Sequence, residues 1–162
     1  MSYVNKFLKH QQDFIDSTER IAVFTGGMGA GKSFSLIEIA RRSKEQKRRF
    51  VFFASCAPSL GEARRSLHET WRSRKMHLLP IMPKFFLGDV FDLVCLDEPR
   101  AVDDDLLRLF VEDGHRAAGI RIAVNPLNAS RYLRSLIDTG AARLFLPPTL
   151  FPNMASRLGV EP

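Results

Sequence analysis

The sequence predicts an α/β fold in three layers, with a mainly parallel five-stranded sheet flanked by helices. Three observations carry that prediction. Five short apolar runs, rich in β-branched and aromatic residues, alternate with longer segments of helical spacing, the pattern of a parallel sheet with crossover helices. The runs are mostly continuous rather than alternating, as strands covered on both faces are. The length of 162 residues, 45% of them apolar, suits one core and a single domain spanning 1–162.

In chain order, Val4, Phe7, Leu8, Gln11, Phe14 and Ile15 fall on one stripe. Residues 3 to 16 therefore read as an amphipathic helix within an N-terminal segment, 1–18. Ile21 to Thr25 is the first strand, ending in glycines, and Phe34 to Ala40 continue helically into a charged segment. Phe50 to Ala54 is the second strand, followed by a helix from Leu60 to Arg74 and a loop marked by Pro80 and Pro83. Phe91 to Leu96 is the third strand. Asp103 to Asp105 open a helix running to about His115, since carboxylates suit the positive end of the helix dipole. Ile120 to Val124 is the fourth strand, residues 129 to 138 are helical, and Arg143 to Leu146 is the fifth strand. Residues 147–162 form a short tail.

Composition excludes several classes. Cys56 and Cys95 form no CxxC pair, and His10, His68, His77 and His115 make no HExxH or HxH spacing, so a zinc site is not expected. No apolar run is long enough to cross a bilayer, and the N-terminus lacks a secretory signal's apolar core, so a cytoplasmic protein is expected. Lys and Arg number 24 against 18 Asp and Glu. The excess sits in residues 41 to 75, where eleven Lys/Arg face three Glu. That window carries +8 while the rest of the chain carries −2, and a surface of this kind attracts polyanions.

The decisive segment is Gly26-Gly27-Met28-Gly29-Ala30-Gly31-Lys32-Ser33, which satisfies GxxxxGK[ST]. Its glycines let main-chain N–H groups curl round a phosphate without Cβ clashes, and the helix that follows points its positive end at the same anion. Lys32 can reach the β- and γ-phosphates of ATP, and the Ser33 hydroxyl can ligate Mg²⁺. Asp97 and Glu98 stand at the C-terminal end of the third strand, where ligands of parallel sheets bind. Asp97 is the expected Mg²⁺ carboxylate, and Glu98 the group that polarises the attacking water. Asn125, ending the fourth strand, either senses the γ-phosphate next to Glu98 or simply opens a turn with Pro126.

The order of phosphate loop, strand ending Asp-Glu and strand ending in a polar residue resembles P-loop ATPases that carry an additional catalytic glutamate. Within that division the chain is most similar to the ATPase domain of phage large terminases, which pump DNA into procapsids. Leu8 to Phe14 looks like that family's adenine-recognising element, which implies Gln11 near the base. Asn125-Pro126 followed by Arg131-Tyr132-Leu133 resembles its strand-ending Asn-Pro and trailing helix. The resemblance implies an ATP- and Mg²⁺-dependent motor on duplex DNA, working as a homo-oligomeric ring with a portal or capsid partner. Met28 stands where terminase loops often carry an activating arginine, so that role passes to Arg64, Arg65, Arg100, Arg116 or a neighbouring subunit. No acidic cluster like the family's nuclease domain is present, so DNA cleavage is not expected.

Two other classes stay open on the sequence. One is a nucleoside or nucleotide kinase, since the loop also resembles that of type II thymidine kinases. The other is a slow nucleotide-gated assembly protein. Of the remaining features, Phe24, Phe34, Phe50, Phe52 and Phe53 read as core, Trp71 as half buried on a basic helix, and Phe85-Phe86 as an exposed pair.

Overall fold

A computed structural model describes residues 7–27 and 31–147. The elements are α1 (Lys9–Ile15), β1 (Ile21–Thr25), α2 (Lys32–Glu45), β2 (Phe50–Ala54), α3 (Ala57–Leu67), β3 (Met76–Leu78), β4 (Phe91–Asp97), α4 (Asp104–Glu112), β5 (Ala117–Val124), α5 (Arg131–Asp138) and β6 (Arg143–Phe145). The strands form one sheet in the order β3-β2-β4-β5-β1-β6, and every pairing is parallel.

The sheet is α/β as expected, with six strands rather than five. The extra one, β3, is a three-residue edge strand that pairs Phe52 with Met76 and Ala54 with Leu78. Strand alternation sorts the core into two halves. Ala22, Phe24, Phe50, Phe52, Leu93 and Cys95 pack against α1, α2 and α3. Val23, Val51, Phe53, Val94, Leu96, Ile120 and Ile122 pack against α4 and α5. Helices therefore cover both faces.

Helix boundaries differ from the pattern reading where a local contact ends the helix. α3 stops at Leu67 rather than Arg74 because His68 takes a left-handed conformation (φ 55°), and the Glu69 N–H bonds back to the Arg64 carbonyl. Trp71 consequently lies in a turn, 72% exposed, and is not half buried against the sheet. Phe34 is 40% exposed and tilts against Phe7 with ring centroids 5.0 Å apart, so it lies outside the core. The Phe85-Phe86 pair splits, with Phe85 exposed and Phe86 buried.

Candidate functional site

The phosphate-loop lysine, the paired acids and Asn125 converge at the carboxyl ends of β1, β4 and β5. β5 lies between the other two strands and holds them in register, with Thr25 opposite Val124 and Asp97 opposite Ala123. Alternation then fixes where the acids point. Leu93, Cys95 and Asp97 occupy successive same-face positions toward α2, so Asp97 comes within reach of the first turn of that helix. The Ser33 hydroxyl donates to Asp97 Oδ1 at 3.1 Å. Burial pushes the Asp97 carboxyl up to about 6; the Ser33 hydrogen bond opposes this, Glu98 raises it further, and Lys32 and Glu62 have smaller effects.

Glu98 leaves the strand line. Its backbone is in the left-handed region (φ 57°), a conformation that non-glycine residues hold at a cost and that clusters at functional sites. Its N–H bonds the Ala123 carbonyl at 2.7 Å, which anchors the turn. The carboxylate is then fixed on three sides. Oε1 accepts the Asn125 backbone N–H at 2.9 Å and lies 3.8 Å from Lys32 Nζ, while Oε2 accepts from Asn128 Nδ2 at 3.2 Å.

Lys32 is nearly buried and donates to the carbonyls of Gly26 at 2.7 Å and Gly27 at 3.2 Å. Gly31 caps α2 with φ +78°, and a Cβ there would overlap the Gln11 side-chain amide. Gln11 is buried, and its Oε1 accepts the Leu8 N–H at 2.9 Å, so α1 is braced against the base of the loop. Met28, Gly29 and Ala30 lie outside the described residues.

Of the expected site residues, the structure thus brings together Gly26, Gly27, Gly31, Lys32, Ser33, Asp97, Glu98 and Asn125, with Gln11 behind the loop. Asn125 acts through its main chain on Glu98, while its Oδ1 accepts the Leu127 N–H at 3.0 Å and opens the turn Pro126–Asn128. Its side chain thus opens a turn, as one of the two readings has it. Asn128 is a site residue that the sequence reading missed; only its spacing three residues after Asn125, one turn further on, hinted at it. Among the four arginines considered for an activating role, Arg116 is committed elsewhere, its Nε 2.6 Å from Asp113. Arg100 is exposed two residues beyond Glu98.

A buried carboxylate and a hydroxyl are hard oxygen donors that suit Mg²⁺, an ion usually held by one or two protein oxygens together with substrate phosphates. Among the described residues no cluster of three or more His, Cys, Asp or Glu could hold a metal by itself. The donor set fits an ion shared with a phosphate ligand.

The α/β fold, an all-parallel six-stranded sheet flanked by helices, matches a P-loop NTPase-like fold. Among solved structures, the chain is similar to the large terminase of a thermophilic bacteriophage, with a TM-score of 0.52 and 14% identity over 86% of this chain. It spans 44% of that terminase's length. A second similar structure is the C-terminal domain of a possible DNA helicase from Lactobacillus plantarum, with a TM-score of 0.40 and 13% identity over 84% of this chain and 95% of that one. No family model and no curated protein matches the sequence. Among the described residues, no helix is long and apolar enough to cross a membrane.

Proposed function

We propose that the chain is an Mg²⁺-dependent ATPase that drives movement of duplex DNA, in the manner of a genome-packaging motor. The observation that supports this best is the convergence of Lys32, Ser33, Asp97 and Glu98 at the carboxyl ends of β1 and β4. In this reading the loop amides and Lys32 neutralise the β- and γ-phosphates, and Gln11 lies on the adenine side. Ser33 and Asp97 would hold Mg²⁺, which supplies charge neutralisation between the phosphates when bound. Glu98 orients a water for in-line attack and takes its proton, and the Asn125 N–H and Asn128 amide keep its carboxylate aimed. The duplex-DNA partner rests on the fold shared with a terminase, and a homo-oligomeric ring is the form in which a neighbour could supply the activating arginine. A portal or capsid protein would then be the recruiting partner.

The test is phosphate release from labelled ATP by the purified chain, with and without duplex DNA, for wild type and Glu98→Gln. General-base catalysis is worth about 10²–10⁴-fold, so the variant should lose at least 100-fold in turnover while binding ATP normally. Label appearing on a nucleoside instead of as free phosphate would make the protein a kinase. Turnover surviving in Glu98→Gln would remove Glu98 from the chemistry.

A further inference from the structure

A concavity of the described structure lies at the opposite end of the sheet from the phosphate loop. It is a groove of about 1020 Å³ beneath the amino ends of β2, β3 and β4. Its floor is apolar and aromatic, formed by Phe50, Ile81, Phe86 and the partly exposed Phe91, and Phe85 stands 63% exposed at its edge. Its rim is cationic. Lys47, Arg48, Arg49 and Arg74 are exposed there, and their side chains have no carboxylate partner among the described residues. Lys75 caps the Phe50 ring at 5.3 Å and Lys84 the Phe85 ring at 5.8 Å. Among the described lining residues, Asp89 is the one acid.

By contrast, other cations of the same basic segment are spent internally. Arg41 pairs with Glu38 and Glu45, Arg42 with Glu38 and Asp16, and Lys44 with Glu69. Of the segment's remaining cations, Lys47, Arg48, Arg49, Arg74 and Lys75 line the groove, while Arg64, Arg65 and Arg72 lie outside it.

We infer that this groove binds a single-stranded nucleic acid, with phosphates on the Lys47, Arg48, Arg49 and Arg74 rim and a base stacked on Phe85 above the aromatic floor. A duplex presents sugar and phosphate outward with its bases already stacked, and so gives an aromatic floor nothing to hold. A strand with free base faces can stack on the exposed Phe85 ring while its phosphates meet the rim. Phe50 and Phe86 are recessed beneath the cations while Phe85 projects, so a membrane surface is tested alongside the nucleic acid. The inference does not depend on the ATPase reading, because the groove is remote from the loop and can be tested without nucleotide.

The experiment is fluorescence anisotropy of a labelled twenty-nucleotide oligo(dT), without ATP, across a salt series. The same-length duplex and phosphatidylserine vesicles run in parallel. Oligo(dT) should bind at least tenfold more tightly than the duplex. Four phosphate contacts give a log–log salt slope of about −3. Phe85→Ala removes an exposed ring and should weaken oligo(dT) binding about 5- to 100-fold while leaving the slope unchanged. The triple change Arg48→Ala, Arg49→Ala and Arg74→Ala should flatten the slope to about −0.7. Equal affinity for duplex, indifference to Phe85→Ala, binding to vesicles but not to oligo(dT), or no binding at low salt would each overturn the assignment. Loss of ATPase activity with oligo(dT) binding intact would count against the proposed function and leave the groove standing.

Discussion

Asp97 shares a sheet face with Leu93 and Cys95, and the apolar packing that aims it at Ser33 also strips it of water. Its carboxyl is pushed from the ordinary aspartate range up to about 6. The folded chain therefore holds this proton more tightly than the unfolded chain does. The linked contribution to stability is present below about pH 4 and is lost as pH rises through 6, to a total of about 3 kcal/mol. Asp97→Asn keeps the volume and an oxygen for Ser33 but removes the charge. Urea unfolding in EDTA at pH 8 should find the variant more stable by up to about 3 kcal/mol, and at pH 4 the gain should vanish. A gain of equal size at both pH values would mean that desolvation of the charge is not its source. Stability given up for a buried carboxylate is what a cation-binding site requires, and the same variant should lose Mg²⁺-dependent turnover.

Among the elements, α1 packs closely against the start of α2. Gly31 needs its positive φ, and its missing side chain is filled by the Gln11 amide. Gly31→Ala adds backbone strain and a steric conflict, for a cost of about 1–3 kcal/mol. Combining it with Gln11→Ala should recover about 1 kcal/mol of that loss in a double-mutant cycle, since the conflict is between these two groups. Strict additivity would show that the amide does not press on the loop. The same junction marks how far a sequence can be read. A GxxxxGK[ST] run behind a β-branched strand announces its own geometry, because glycine placement and helix dipole are local properties. The acids at the end of β4 were legible for a similar reason, since an apolar run ending in Asp-Glu fixes both the strand and its exit. β3 was not legible, because Met76-His77-Leu78 is too short to show a period and exists by pairing with β2. Nor was the hold of Asn128 on Glu98, a contact spanning thirty residues that only the register of β4 against β5 creates.

At the scale of the whole molecule, the site is built from segments that meet only in the folded sheet: the loop after β1, the end of β4 and the turn after β5. The same sheet separates the two halves of the core, so a ligand gripping these three strand ends ties together packing on both faces. A nucleotide that binds this arrangement has nothing comparable to bind in the unfolded chain, and binding must then stabilise the fold by mass action. A non-hydrolysable ATP analogue with Mg²⁺ at 100 times its Kd should add about 2.7 kcal/mol. For a chain of this size that raises Tm by about 5–11 °C. Glu98→Gln should keep the whole shift, because in the proposed function it changes the group that orients water and leaves the phosphate grip alone. Lys32→Ala should lose most of it, because in the proposed function its ammonium is the charge that meets the phosphates. If the analogue left Tm unmoved at millimolar concentration, the strand ends would be a fold without a ligand. If Lys32→Ala kept the shift, the nucleotide would sit somewhere other than the loop.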